Sequence, residues 1–237
     1  MIARPLFGSM LLVGYLAASA YASPITFTFT GASGNVPSIV QTQGGTTLTA
    51  IPVVGPFSPI TITNTYITQD SVLGLGVTWD GTFPLFIPFI GIINIPISDT
   101  DPQIDNLGAN EAIQFTFSGN GPWRLDSVTF SATTNFLDIL LGTANESFAL
   151  SVNGNPINVS AFNPFGANGS FTINLISSIP DTERTGTQFV ISPAGTLDDF
   201  RIVSLQVTEV PEPATLGVLG IALTGLGVYR RLVRRRR

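Results

Sequence analysis

The sequence predicts an all-β fold, and three observations support this prediction. Apolar and polar residues alternate with a period of two in several segments between residues 23 and 210, a pattern typical of strands with one buried face and one solvated face. No long segment in that range shows helical periodicity. Gly, Pro and Asn, which favour turns, separate the alternating segments. We therefore expect a two-sheet β-sandwich of jelly-roll-like type.

The clearest strands are predicted in order along the chain. They cover residues 25–29, 60–63, 113–117, 148–152 and 171–175. Asn153-Gly154 favours a type I′ hairpin turn, although the following Asn155-Pro156 would suit a longer loop. Alternation changes phase after Leu125 and after Ile202, which indicates either a β-bulge or a strand buried on both faces. Residues 37–59 suit a long hairpin or a surface loop, and the whole pattern gives roughly ten strands.

Residues 83–97 form an unusual apolar segment, which has no charge and contains three prolines. Proline breaks a helix and is excluded from the centre of a sheet. Two alternatives therefore remain open. The segment is an edge strand with a loop folded over the core, or it is an exposed apolar patch for a partner or for self-assembly.

The N-terminal residues 1–22 have the pattern of a secretory signal peptide. Arg4 supplies the positive start, residues 6–18 are apolar, and Ala20-Tyr21-Ala22 matches the small-x-small rule for cleavage. The mature chain is then expected to begin at Ser23. The alternative is a signal anchor that stays attached.

The C-terminal residues 210–237 combine three features in order. Pro211-Glu212-Pro213 is followed by an apolar segment over residues 214–228 and then by an arginine cluster. The cluster contains Arg230, Arg231, Arg234, Arg235, Arg236 and Arg237. A helix over residues 214–229 would span about 24 Å, and flanking arginines can reach the headgroups of a core about 30 Å thick. We therefore expect one transmembrane helix with its arginines in the cytoplasm.

This tail resembles the PEP-CTERM sorting signal of Gram-negative bacteria. The resemblance implies recognition by an exosortase, an integral-membrane cysteine protease-like enzyme that cleaves near the Pro-Glu-Pro. It also implies a transient inner-membrane intermediate and then a cell-surface or extracellular protein. An ordinary anchor that is never cleaved is the alternative. Residues 74–77, 103–106, 110–117 and 197–202 are similar to the body of many PEP-CTERM-bearing surface proteins, which implies a secreted β domain over residues 23–209.

The composition excludes several classes of function. The chain has no cysteine, histidine or lysine, so it has no disulfide and cannot use Ser-His-Asp, Cys-His or Ser-Lys catalysis. A zinc site is disfavoured for the same reason. The predicted mature domain keeps only Arg124, Arg184 and Arg201, against fifteen carboxylates in the chain. Nucleic acid is therefore not an expected partner, and acidic polysaccharide would need a bridging divalent cation.

The densest acidic cluster suggests a calcium site. Asp99, Asp101 and Asp105 alternate along a predicted loop, and Glu111 follows. Hard oxygen ligands of this kind are what Ca²⁺ requires, although the spacing is not that of an EF-hand. The alternative is a solvated loop in which aspartates cap turns. No other cofactor is expected.

Three functions remain open at this point. We favour a non-enzymatic structural or adhesive component of the surface or matrix, associated with exopolysaccharide or biofilm. A carbohydrate-binding module is the second, with Trp79, Trp123 and Tyr66 as candidate stacking residues. A glycosidase acting through two carboxylates is the third. Its candidates are Asp80, Asp105, Glu111, Asp126, Asp138 and Glu146.

Overall fold

The computed structural model describes residues 22–31, 33–56, 58–101, 103–105, 110–119, 121–132, 147–157, 169–195 and 198–210. These residues form sixteen β-strands and contain no α-helix, so the predicted all-β class is confirmed for them. Within these ranges no helix is long and apolar enough to cross a membrane. The predicted transmembrane helix lies outside the described residues, as does most of the predicted signal peptide, including Ala20.

The strands follow one another closely along the chain. In order they are β1 (Ile25–Thr28), β2 (Gly34–Val36), β3 (Ile39–Gln43), β4 (Thr46–Val54), β5 (Thr61–Asp70), β6 (Gly74–Ile87), β7 (Gly91–Asp99), β8 (Ile104–Asp105), β9 (Glu111–Ser118), β10 (Trp123–Ala132), β11 (Phe148–Val152), β12 (Asn155–Ile157), β13 (Gly169–Asn174), β14 (Thr185–Gly186), β15 (Gln188–Pro193) and β16 (Asp199–Glu209).

The strands form two antiparallel sheets. The larger sheet has ten strands in the order β13-β10-β16-β6-β5-β2, and β1, β7, β8 and β14 pair with strands on this path. The smaller sheet has six strands in the order β12-β11-β15-β9-β4-β3. Residues 37–59, for which a hairpin or a loop was expected, contain the β3–β4 hairpin.

Aromatic side chains from both sheets meet in one apolar core. Phe27 of β1 contacts Phe117 of β9 edge-on, with ring centroids 5.7 Å apart. Phe130 of β10 contacts Phe148 of β11, with centroids 4.9 Å apart. All four rings are buried, and each such pair contributes about 1 kcal/mol beyond its buried area. The two sheets therefore pack face to face as a β-sandwich, while jelly-roll connectivity stays a prediction.

Two local predictions about turns and bulges are confirmed. Asn153 and Gly154 both have positive φ, 50° and 81°, and β11 pairs with β12 directly across them. This is the predicted two-residue type I′ turn, which Asn155 and Pro156 do not lengthen. The β10–β16 ladder shifts register at Asp126 and again opposite Val203. These shifts are the bulges expected after Leu125 and after Ile202.

Strand β6 leaves the core halfway along its length. Its first six residues, from Gly74 to Trp79, are buried, and its last residues pair with β7 in a hairpin that stands out from the sandwich. We call residues 83–97 the apolar hairpin. Its exposed large side chains are Leu85, Phe86, Phe89, Ile90, Ile92, Ile93 and Ile95. The first alternative is therefore correct in its edge strand, β7, and wrong in its loop over the core. The exposed apolar patch of the second alternative is present, and its role in contacting a partner or in self-assembly stays a prediction.

A buried ion-pair network holds one end of the sandwich together. The guanidinium of Arg184 is fully buried and donates to Asp126 Oδ1 at 2.8 Å and to the Leu125 carbonyl at 3.0 Å. It also donates to the Ile179 carbonyl at 3.2 Å and to Asp181. Each guanidinium nitrogen therefore has a partner, which offsets the cost of removing the charge from water.

Asp126, the extra residue of the β10 bulge, is the hub of this network. It also accepts hydrogen bonds from Arg124 Nε at 2.9 Å and from the Thr208 hydroxyl of β16. The bulge thus directs the carboxylate of Asp126 to the position where β10, β16 and the segment before β14 meet. In the sequence, Arg184 stands out only as one of the three arginines of the predicted mature domain, and the burial of its side chain was not predicted.

We expect Arg184→Ala to lower the free energy of unfolding by about 3–5 kcal/mol, because it leaves Asp126 and two backbone carbonyls buried with fewer donors. Urea denaturation of both proteins measures the difference. Glu183→Ala is the matched control, since Glu183 is exposed and should change stability by less than about 0.5 kcal/mol. Equal stability of Arg184→Ala and the wild type would contradict the structural role of the network.

Candidate functional site

The candidate site is a cluster of three carboxylates at the end of the sandwich opposite Arg184. Asp99 ends β7, Asp105 ends β8, and Glu111 begins β9. One oxygen from each carboxylate lies within 4.8 Å of the others. The structure thus brings together three of the four residues predicted to bind calcium. We call Asp99, Asp105 and Glu111 the carboxylate cluster.

Core packing and backbone pairing between strands position the carboxylate cluster. Ile104 is fully buried in the core, and because side chains alternate across a strand, Asp105 faces the other way. The carbonyl of Gln103 accepts a hydrogen bond from Val77 N at 3.1 Å, which fixes this segment against β6. Glu111 is held by the β9–β4 ladder, where it pairs with Val54.

Glu111 is the buried member of the cluster. Its residue is 1% exposed, and its Oε2 accepts a hydrogen bond from Asp105 N at 3.3 Å. Its other oxygen, Oε1, receives no hydrogen bond from any donor among the residues that the structure describes, and a hydrogen bond between Glu111 and Asp99 forms only when one of the two carboxyls carries a proton. A buried acceptor without a donor is costly, at about 1–3 kcal/mol, so this oxygen requires an explanation.

The electrostatics of the cluster are unfavourable for a bare carboxylate. Burial, followed by the negative charge of Asp105, a side-chain hydrogen bond with Asp99 and the negative charge of Asp99, raises the pKa of Glu111 to about 10. Only the hydrogen bond from Asp105 N lowers this pKa. Without a cation, Glu111 is therefore protonated at neutral pH. The charged neighbours that shift its pKa are both carboxylates.

Asp101, the fourth predicted ligand, does not join the cluster. Its backbone N–H donates to Asp99 Oδ1 at 2.9 Å, and this turn directs Asp101 to the surface, where it is exposed. The structure therefore does not bring Asp101 together with the other three predicted ligands. Asp99 caps this turn by accepting the hydrogen bond from Asp101 N, which is the role that the alternative of a solvated loop assigned to the aspartates.

Two residues beside the cluster were not predicted to belong to the site. Gln103 Nε2 lies 3.4 Å from Asp199 Oδ2 and 3.4 Å from Asp101 Oδ2. Asp199 is buried and pairs with Asp105 between β16 and β8. The only sequence signal for Asp199 was its place in residues 197–202, a segment similar to the body of many PEP-CTERM-bearing surface proteins.

A polar cleft of about 300 Å³ adjoins the cluster and shares Asp99 with it. The cleft is lined by the aromatic residues Tyr66 and Trp79 and by amide, hydroxyl and carboxylate groups, including Asn35 and Asp80. Trp79 is only 7% exposed and pairs with Asp99 in the β6–β7 ladder. Tyr66 is half-buried.

The remaining predicted residues lie elsewhere. Trp123 is buried in the core and stacks on Phe117 with centroids 5.8 Å apart, so it is not available to stack on a ligand. Asp126 belongs to the ion-pair network. Asp138 and Glu146 lie outside the described residues, as do all the predicted sorting residues, Pro211, Glu212, Pro213 and the arginine cluster. Ala22, the last residue of the predicted signal peptide, lies three residues before β1.

Comparison with known proteins identifies the tail. Residues 209–237 match the family model of the PEP-CTERM protein-sorting motif. No curated protein and no solved structure matches the chain. The matched motif implies processing by an exosortase, a membrane enzyme, and export through the membrane to the cell surface. The predicted resemblance of the tail is thereby confirmed, whereas the match does not extend to the sandwich.

We expect the stability of the cation-free protein to fall as pH rises above about 4.5. The raised pKa of Glu111 means that the folded state keeps a proton that the unfolded state loses. Each pH unit from about 5 to 8 then costs up to about 1.4 kcal/mol. Urea denaturation in EDTA across this range measures the slope, and Glu111→Gln should flatten it. A slope that is equally steep in Glu111→Gln would assign it to other groups.

Proposed function

We propose that this chain is an exported structural or adhesive protein of a bacterial surface or extracellular matrix, associated with exopolysaccharide or biofilm. The PEP-CTERM sorting motif at residues 209–237 carries the proposal. Its position relative to the fold supports it further. The last strand, β16, ends at Glu209, so cleavage near Glu212 would leave every described strand intact.

The strand register shows where the chain ends of the domain lie relative to the apolar hairpin. In the antiparallel pair of β1 and β16, Ile25 lies opposite Val207, so the chain enters and leaves the domain at the same end. Strand β6 begins beside Ile202 and runs antiparallel to β16, toward and past Asp199. The tip of the apolar hairpin therefore lies at the opposite end of the domain from Glu209, the last residue of β16.

The turn of the apolar hairpin supports an adhesive role. Ile90 N donates to the Ile87 carbonyl at 3.1 Å across Pro88 and Phe89, and Phe89 has a φ of 71°. A type II turn with Pro at its second position requires this φ at its third position, where glycine is preferred. A bulky side chain there costs about 1 kcal/mol or more. Phe89 is nonetheless fully exposed, which suits a contact made outside the domain.

A carbohydrate-binding module is the second candidate, and the polar cleft is the observation that favours it. Tyr66 offers ring surface, Trp79 exposes only 7% of its surface, and Asn35 and Asp80 offer hydrogen-bonding groups, a combination that suits a sugar. We assign no catalytic activity to the chain. The lack of histidine, cysteine and lysine in the sequence supports that assignment, because most nucleophile–base pairs need one of them.

In the native host, we expect the mature protein to lack both ends. Intact-mass measurement of the secreted or surface-released protein should fit a chain that begins at Ser23 and ends near Glu212. Replacing Pro211-Glu212-Pro213 with three alanines should leave the C-terminal segment attached and hold the protein in the membrane fraction. Recovery of the wild-type chain with Met1 and Arg237 intact would contradict export and processing.

We expect Phe89→Asn to weaken attachment to exopolysaccharide-coated surfaces or cells about 10-fold, because a buried phenyl ring contributes about 1.5–3 kcal/mol. Stability should stay equal or rise by about 1 kcal/mol, since Asn tolerates positive φ better than Phe. Attachment is measured by retention under washing, and stability by denaturation.

Val40→Thr is the matched control for this experiment, because Val40 is exposed (61%) on β3 of the other sheet. It should attach like the wild type. If Phe89→Asn also attaches normally while Tyr66→Ala fails to bind polysaccharide, the cleft is the binding surface and the second candidate is the better one.

A further inference from the structure

We propose that the carboxylate cluster is a divalent-cation site that takes Ca²⁺ and joins the two sheets of the sandwich. The proposal is independent of sorting and of adhesion. The proposed ligands are Asp99, Asp105 and Glu111, and Asp101 is not among them.

The geometry of the cluster is the first support. Three carboxylates supply oxygens that lie within 4.8 Å of one another. Two ligands of one Ca²⁺, each at 2.3–2.6 Å, can be separated by up to about 5 Å. A single ion can therefore contact all three groups without large movement of the backbone. These oxygens come from three different strand ends, β7, β8 and β9, so the site is set by the fold and not by one flexible loop.

The unpartnered oxygen of Glu111 is the second and independent support. Glu111 is 1% exposed, and among the described residues its Oε1 has no hydrogen-bond donor. Oε2 of the same side chain already accepts a hydrogen bond from Asp105 N. Native proteins rarely leave a buried acceptor without a partner. A cation held with Asp99 and Asp105 would satisfy this oxygen.

The distribution of arginines makes the cluster unlike the other buried acidic site. At the opposite end of the sandwich, buried Asp126 faces two guanidinium groups, those of Arg124 and Arg184. The third arginine of the described residues, Arg201, lies 3.8 Å from Asp70. The charged groups that act on Glu111 are instead Asp105 and Asp99. A bound cation would supply beside Glu111 the positive charge that the arginines supply beside Asp126.

The ligand chemistry selects Ca²⁺ among common cations. All three ligands are hard oxygens, and the sequence has no histidine or cysteine to favour zinc or copper. Mg²⁺ prefers a strict octahedron in which it keeps several waters, whereas Ca²⁺ accepts several carboxylates in a flexible geometry. Buried carboxylates on three separate strand ends suit the larger ion.

The proposed ion would act as a link between the sheets. Asp99 and Asp105 lie on strands of the larger sheet, and Glu111 lies on β9 of the smaller one. The chain has no cysteine, so a disulfide cannot make such a link. We therefore expect the main effect of Ca²⁺ to be on stability.

The test uses the full-length chain, purified in detergent and freed of metal with EGTA. Addition of Ca²⁺ should raise Tm by about 5–10 °C when its concentration reaches about 100 times Kd. Isothermal titration should give one site per chain. The same concentration of Mg²⁺ should give a smaller shift. If Ca²⁺ produces neither heat nor a change in Tm in the wild type, the proposal is overturned.

Two variants test the assignment of the ligands. Glu111→Gln keeps the shape of the side chain and removes the charge, so it should fold in EGTA yet lose most of the Ca²⁺-dependent rise in Tm. Asp80→Asn is the matched control, because Asp80 lines the neighbouring cleft and is not in the cluster. It should respond to Ca²⁺ like the wild type. An undiminished response in Glu111→Gln would place the ion elsewhere.

A luminescence measurement locates the ion without relying on stability. Tb³⁺, which replaces Ca²⁺ at oxygen sites, emits when a nearby tryptophan is excited. Trp79 lies opposite Asp99 in the β6–β7 ladder, whereas Trp123 lies at the Arg184 end, where β10 pairs with β14. Trp79→Phe should remove most of the sensitised emission and Trp123→Phe little of it. The reverse order would refute the site.

Discussion

The burial of charge in a sandwich that has no disulfide is the constraint on which the rest of this structure depends. Strand β16 runs between two buried acidic sites, with Asp199 near the carboxylate cluster and Thr208 bonded to Asp126. At the Asp126 end, two arginines neutralise the carboxylate. At the other end, Asp99, Asp105 and Glu111 face one another. At both ends of the apolar core, the buried carboxylates carry a desolvation cost that a nearby positive charge can offset.

Local signals in the sequence predicted much of this fold. Alternation identified the strands that contain Phe27, Phe115 and Phe148, because a half-buried strand must alternate. The Asn153-Gly154 turn and the two bulges were predicted for equally local reasons. Strand β8 has only two residues, too few to show a period. Short strands of this kind explain why the described part of the chain contains sixteen strands where roughly ten were expected.

Non-local features account for what the sequence could not predict. The burial of Arg184 depends on partners in β10 and on the carbonyl of Ile179, and no spacing rule connects them. Asp199 approaches Gln103 across 96 positions. The apolar hairpin is a different case. Its prolines correctly predicted an edge strand. The same apolar residues would also suit a segment that covers the core, so the sequence alone could not distinguish the two alternatives. The course of β6, which leaves the sandwich halfway along its length, distinguishes them.

The arrangement of the chain ends agrees with delivery by a membrane-held tail. Because β1 and β16 are antiparallel neighbours, the chain enters β1 and leaves β16 at one end of the domain, and the predicted processing points, after Ala22 and near Glu212, lie just outside these two strands in the sequence. A domain held by either segment would therefore present the same end to the membrane. The apolar hairpin and the carboxylate cluster would then lie at the far end, in the external medium, where free Ca²⁺ and matrix polymers are encountered. The described strands thus separate the end of the domain where the chain enters β1 and leaves β16 from the end that carries the apolar hairpin and the carboxylate cluster.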